Sequence, residues 1–566
     1  MENLIAFVIL YVIFGNHGVL SGGKTTSVIG DGITDNSVLV QAANATTGSK
    51  PILFSGISVI GTATTITAPI ADTMEQIFST ASQITINNGQ PVRPEWFGSA
   101  AGNIRLAVNA LPSSGGVVKL ENKRYQPSYA DSTQGAGGGW LAKQNVRIQG
   151  ARLPEFMGDN SGLKDGSGTI INGPFNVFAN GFEWDAAGVD SGVTVTDSLY
   201  GGAVQDAFDF FQPNKTTPIY ATGVRIESIR GIGRSPDAAG HAVLLEAIDG
   251  GYVGLAEGST AIHSVVIKSR RIMADTLRGF NCGVDCVIFK SDEYAPMENV
   301  TVEKVYAKGA GTRASMYGVL IQSATALGSK VNIGSIQTSF VATGVAINGR
   351  TSDINIGEVV ADTVMTGVKF SGNAKTNINS VLASNCFNGI AVDWTTRAKS
   401  NYVGRITATN ATNAVSADGY IHIGDVVTDN VRGYALRHNA ETARIMLSGA
   451  HSNISGSTQT WGMWASLANN WANYSADNLP FSIEAIGGRV VMSGLIANGT
   501  SAIISTSLSN QIRPGEDIRF TALGYNGAVR TPIDLIVGSN GTITAANYTA
   551  ASTWLSLDNI SWPIPY

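Results

Sequence analysis

Charge is scarce in this chain of 566 residues: Asp, Glu, Lys and Arg together make up 14%, against about a quarter in an average soluble protein. With 37 Lys+Arg against 42 Asp+Glu the formal net charge is −5. The basic footprint that phosphate-backbone binding needs is missing, so nucleic acid is excluded as the main partner. Cysteine numbers three, too few for a disulfide framework. Cys282 and Cys286 stand four apart with no histidine pair beside them, which reads as small buried apolar residues rather than zinc ligands. The six histidines are scattered, and no aspartate cluster has calcium spacing. The sequence therefore implies neither a metal nor a cofactor. Proline numbers only 17 and the glycines follow no three-residue period, which excludes collagen. The apolar run Leu4 to Phe14 is shorter than the roughly 20 residues a spanning helix needs, so no membrane insertion is expected. Only Glu2 precedes it, where a secretory signal carries Lys or Arg. Residues 1–24 therefore read as an apolar attachment segment.

What the chain does have is glycine, 66 of 566 residues, and a hydrophobic content of 43% that lies outside disordered compositions. It also repeats itself. One short strand recurs as Ile333-Gly-Ser-Ile336, Ile356-Gly-Glu-Val359, Ile378-Asn-Ser-Val381, Val403-Gly-Arg-Ile406 and Ile423-Gly-Asp-Val426. A second follows as Gly344-Val-Ala-Ile347, Gly367-Val-Lys-Phe370, Gly389-Ile-Ala-Val392 and Gly433-Tyr-Ala-Leu436, with less regular copies at Ala242-Val-Leu-Leu245, Gly283-Val-Asp-Cys286 and Gly318-Val-Leu-Ile321. A period near 22 with short alternating strands and no helical pattern predicts the coils of a parallel β-helix. Between the strands, Asn385, Asp429 and Asp275 fall in similar five-residue segments ending in glycine. All three are expected to be turn residues, since Asn and Asp side chains cap their own backbone turns. From Trp471 onward the pattern changes to short strands separated by Gly, Asn and Pro, as in a β-sandwich.

The segment Gly30-Asp-Gly-Ile-Thr-Asp35, with Gln41-Ala-Ala in a short helix behind it, resembles the opening segment of the pectate-lyase-like β-helix of phage tailspike depolymerases. Asn36 stands where that family usually has a second aspartate. The C-terminal series Trp471-Ala-Asn-Tyr474, Gly488 to Ile496, Ile512-Arg-Pro514 and Trp554 to Trp562 is similar to the terminal domain of phage tail fibres and tailspikes. The resemblance implies an all-β, right-handed single-stranded parallel β-helix with a C-terminal β-sandwich, assembled as a homotrimer. Its domains would be an opening and cap region at 25–135, the catalytic β-helix at 136–454 and the sandwich at 455–566. It further implies a virion tail protein, attached to the phage tail or an adapter protein, that recognises and usually cleaves a bacterial surface polysaccharide. Family members often carry a long particle-binding domain ahead of this segment, and about 25 residues precede it here.

Polysaccharide hydrolysis needs a carboxylic acid at the leaving oxygen and a carboxylate to activate water or attack directly. In the repeat Gly-Val-x-Ile-x the third and fifth positions point outward. That alignment puts Glu246 and Asp285 on successive copies, roughly 8 Å apart if the copies are adjacent coils, as in inverting glycosidases. The copies between Ala242 and Gly318 are also spaced more widely than the later ones. Long insertions on a rigid scaffold are usually functional, and these bring Asp249, Glu257, Asp292 and Glu293 over the groove. Tyr252 and Tyr294 lie in the same insertions, and tyrosine faces suit sugar stacking. Lys268, Arg270 and Arg271 form a compact basic cluster fit to bind an acidic sugar. The sequence thus points to Glu246, Asp285, Asp292, Glu293 and Asp249 as candidate catalytic groups, within residues 240–325. A polysaccharide lyase on the same scaffold and a non-catalytic adhesin are the alternatives.

Overall fold

A repeat of this length sets each strand beside its counterpart one turn away, and the computed structural model shows that arrangement. It describes residues 18–22, 25–47, 51–79, 83–98, 103–125, 143–158, 162–172, 175–185, 187–190, 207–210, 219–233, 240–291, 297–310, 317–323, 329–349, 352–372, 374–393, 396, 401–438, 444–447, 451–454, 467–474, 481–486, 489–506, 508, 512–525, 527–548 and 554–563. The apolar run at 4–14 lies outside them. Among the described residues nearly all regular structure is strand, with helix at α1 (Ser37–Thr47), α2 (Asn103–Ala110) and a 3-10 turn at Pro94–Phe97. No helix there is long and apolar enough to cross a membrane. No group of three or more His, Cys, Asp or Glu there is placed to hold a metal ion. The chain divides into two compact units, Met1–Lys304 and Val305–Tyr566.

The first unit opens on the glycine-aspartate motif, whose acids are spent on backbone geometry. Asp31 accepts from the N–H groups of Ile33 and Thr34, both at 2.9 Å. Asp35 accepts from Ser37 at the start of α1 and from Gly61 on the following segment, each N–H at 2.9 Å. The Ser37 hydroxyl and these two N–H groups hold the Asp35 carboxyl below its ordinary value.

Parallel coils follow. β1 (Val146–Gln149), β2 (Glu183–Asp185), β3 (Arg225–Ile232), β4 (His241–Ser259), β5 (His263–Phe280) and β6 (Asp285–Ser291) pair in parallel, each with the next. Ile148, Trp184, Ile226, Val253 and Ala274 share one register position and are buried. Three residues before each of them the chain turns a corner with positive φ, at Asn145, Gly181, Gly223, Gly250 and Arg271. Asn299 carries the same turn one coil further on, where its neighbour Glu298 accepts from the Arg271 N–H at 2.6 Å. Glycine and asparagine tolerate this conformation; arginine adopts it rarely.

β4 contains one extra residue. Its register against β5 shifts between Glu246 and Asp249, and Ala247 takes a φ of 58°. The buried Ser269 hydroxyl seals this β-bulge, donating to the Leu245 carbonyl at 2.9 Å and accepting from the Ile248 N–H at 3.1 Å. Bulges re-aim the side chains around them.

Two expectations are corrected here. Cys282 and Cys286 are buried, but they are joined by a disulfide, because the corner between β5 and β6 brings their Cα atoms to 5.1 Å. Asp275 is not a turn residue: it lies inside β5, and the positive-φ residue that follows it is Asn281.

In the second unit the register agrees with the spacing read from the sequence. Ile333, Ile356, Ile378, Val403 and Ile423 are partners on successive coils. So are Val345, Val368 and Ile390, while the copy Asn413–Ala417, overlooked in the repeat, pairs next and moves Leu436 opposite Val415. Asn385, Asn410 and Asn430 hold the positive-φ corner and bond in a ladder. The Asn410 amide donates to Asn385 at 3.3 Å and the Asn430 amide to Asn410 at 2.6 Å. Past the coils lie two antiparallel sheets, of seven and three strands among the described residues.

Candidate functional site

Pairing in the first unit decides which sequence candidates can meet. His241, His263 and Asp285 are level on β4, β5 and β6, while Glu246 is level with Lys268. The copy His263 to Ile267 therefore lies between the two that the sequence placed side by side. Glu246 and Asp285 are two coils and five residues apart, about 19 Å from the coil spacing and strand rise, too far to share one glycosidic bond. The reason is packing: Leu244, Val266 and Ile288, at the outward position, are buried like their inward neighbours, which erases the alternation used for the alignment. Asp285 is itself buried, with one oxygen 3.1 Å from Nδ1 of His263.

The bulge gathers the other candidates. Lys268 Nζ lies 3.6 Å from the Glu246 carboxylate, and both side chains are largely covered. Asp249 accepts from Arg270 at 2.7 Å and from Arg271 Nε. The Arg270 guanidinium lies 3.8 Å from the centre of the Tyr220 ring. Burial alone would push the Asp249 carboxyl up, but the bonds from Arg271 and Arg270 outweigh it and hold the group below its ordinary value. A carboxyl so held is suited to anchoring two guanidiniums and unsuited to delivering a proton. Its ion pairs stabilise the fold above the unfolded aspartate value near 4 and are lost as pH falls through the lower folded value. Asp249→Asn is therefore expected to lower the melting temperature at pH 7, and the gap from wild type to narrow below about pH 4, as read by thermal melting from pH 7 to pH 3.

Three residues past Asp249, Tyr252 stands at the outer face. Its hydroxyl donates to Asp275 at 2.6 Å, and the Arg225 guanidinium lies 4.7 Å from the centre of its ring. The bond to Asp275, with partial burial and the charges of Asp275 and Glu227, raises the Tyr252 hydroxyl above its ordinary value. Arg225 is ion-paired with Glu227. The exposed Met273 completes this row at the register of Arg225 and Tyr252. Glu257, expected over the groove, is instead 2% exposed and bridges Arg230 at 2.6 Å and Arg278 at 3.1 Å. Asp292, Glu293 and Tyr294 lie outside the described residues.

The sequence reading passed over Glu227 and set Asp275 aside. The signal was present: Ile226-Glu-Ser-Ile229, Val253-Gly-Leu-Ala256 and Ala274-Asp-Thr-Leu277 are earlier copies of the Ile333-Gly-Ser-Ile336 strand.

The fold so described is a stack of parallel β-helix coils, the architecture that the resemblance to phage tailspikes implies. No protein-family model matches the chain, and no curated protein does. Among solved structures it is similar to the catalytic unit of a thermostable GH87 alpha-1,3-glucanase from Streptomyces thermodiastaticus, at 14% identity and a TM-score of 0.39, over 66% of this chain and 70% of that one. It is also similar to ORF18 of Geobacillus virus E2, at 12% identity and a TM-score of 0.30, over 81% of this chain and 79% of that one.

Proposed function

We propose that the chain is a phage-borne depolymerase that hydrolyses internal glycosidic bonds of a bacterial capsular polysaccharide or exopolysaccharide. It would work as a homotrimer mounted on the tail directly or through an adapter protein, with no cofactor. The observation that carries this reading is the outer row around Tyr252. An aromatic face, a guanidinium and carboxylates from three adjacent coils stand together on a rigid parallel scaffold. That is the equipment for stacking on a sugar, orienting its hydroxyls and moving a proton. Arg271, more than half exposed, would meet polar or acidic substituents of the polymer.

Purified full-length protein incubated with capsules from a panel of strains tests it. Shortening of one polymer with new reducing ends and no ultraviolet absorbance is the expected result. Absorbance from an unsaturated uronate would mean a lyase, and binding without shortening an adhesin.

A further inference from the structure

At one corner of the coil the two units differ in a way that stacking does not require. In the second unit the residue after the first buried position of the repeat is Gly334, Gly357, Asn379, Gly404 and Gly424. The close approach of neighbouring coils accounts for the glycines. A Cβ at Gly357 would sit 2.3 Å from the Gly334 carbonyl oxygen, and one at Gly424 would sit 2.1 Å from that of Gly404. In the first unit the same position is filled by Gln149, Asp185, Glu227, Gly254, Asp275 and Glu303. Carboxylates thus take four of six places at a corner that favours no side chain.

The geometry points to Glu227 and Asp275 as the catalytic base and acid of the cleavage proposed above, and to inversion at the anomeric carbon; the assignment rests on the hydrolase reading. The registers of β3 with β4 and of β4 with β5 place Gly254 between the two acids. Their Cα atoms are therefore two coils apart, about 10 Å. Gly254 contributes no side chain to the space between. A pair of acids two coils apart with no side chain between them leaves room for a water, which inversion requires and a retaining nucleophile does not. Tyr252 borders the space, its hydroxyl 3.4 Å from where a Gly254 Cβ would stand, and fixes Asp275 through its hydrogen bond.

Arg225 pairs with Glu227, which fits Glu227 to the base and leaves Asp275, which accepts from the Tyr252 hydroxyl, to the acid. Glu227 takes a proton from water as the water oxygen bonds to the anomeric carbon. The bond from that carbon to the leaving oxygen breaks, and the proton of Asp275 passes to the leaving oxygen. Exchange with solvent then returns the proton from Glu227 to Asp275.

The test uses full-length protein and the capsule that the wild type shortens. Glu227→Gln and Asp275→Asn are each expected to lower kcat by roughly 10²–10⁴-fold, with circular dichroism, sedimentation and capsule binding unchanged. Asp353→Asn, an exposed acid of the second unit, should cleave at the wild-type rate. Proton NMR of the first product should show the anomer opposite to that of the polymer. Cleavage at the wild-type rate by either acid variant, or a retained anomer, would overturn the assignment while leaving the hydrolase reading in place. A wild type that shortens no capsule overturns the reading, and the pair falls with it.

Discussion

Glu257→Ala is expected to destabilise the first unit by about 3 kcal/mol, because it removes the buried carboxylate that two guanidiniums share. Arg230, Glu257 and Arg278 stand at one register position on β3, β4 and β5, so the carboxylate is held between guanidiniums from the coils on either side. Arg230 also donates to the Pro154 carbonyl, and its guanidinium lies 5.4 Å from the centre of the Phe156 ring. It cannot turn to solvent without giving up those contacts. Arg278 is 40% exposed and partly screened by water, which keeps the expected cost at the low end of the range for broken buried pairs. Urea unfolding should show the loss as a lower midpoint. Adding Arg278→Met should recover part of it, since one of the two positive charges that faced the carboxylate is then gone. A Glu257→Ala midpoint equal to the wild type would mean that water replaces the carboxylate.

Trp184→Ala should cost about as much or more, roughly 3–5 kcal/mol for a fully buried aromatic truncated to a methyl group. The Trp184 ring meets Phe175 edge-on at 4.8 Å and Phe208 edge-on at 5.0 Å, and it has no exposed surface. Ile148 and Ile226 lie against it on the neighbouring coils. Coils of this kind hold only their neighbours, so a void in one is not filled from elsewhere. Trp184→Phe, which keeps an aromatic ring in place, is expected to lose well under half as much. Differential scanning calorimetry of the two variants distinguishes a volume effect from a backbone one: equal losses would mean that Trp184 acts through something other than filling space.

The second unit was legible because its strands alternate. Ile356 and Val359 are inward, Asn355 and Glu358 outward, and their recurrence at a nearly constant spacing shows the pairing register directly. The first unit was less so, for two physical reasons. The outward residues Leu244, Val266 and Ile288 are apolar and buried, so β4 to β6 read as unbroken hydrophobic runs. The extra residue at Ala247 then breaks the phase between the halves of β4. Glu246 was found from its place in the repeat and Asp249 from the long insertion, but no sequence pattern showed that Lys268 and the two arginines already hold them. Asp275 was assigned to a turn because the segment that follows it ends in glycine like the true turns. The copy of the Ile-x-x-Ile strand beginning at Ala274 was the better guide.

The corner at residue 271 sets local comfort against chemistry. Every other member of its column, from Asn145 through Gly250 to Asn299, is a residue that accepts positive φ with little or no penalty. An arginine there carries a conformational penalty of about 1–2 kcal/mol. A chain shaped for stacking alone would place glycine at this point and be the sturdier for it. Arg271 instead puts a guanidinium, more than half of it in water, against the Asp249 carboxylate. Robustness is given up at the one place in the column where a charged group faces outward from the turn itself.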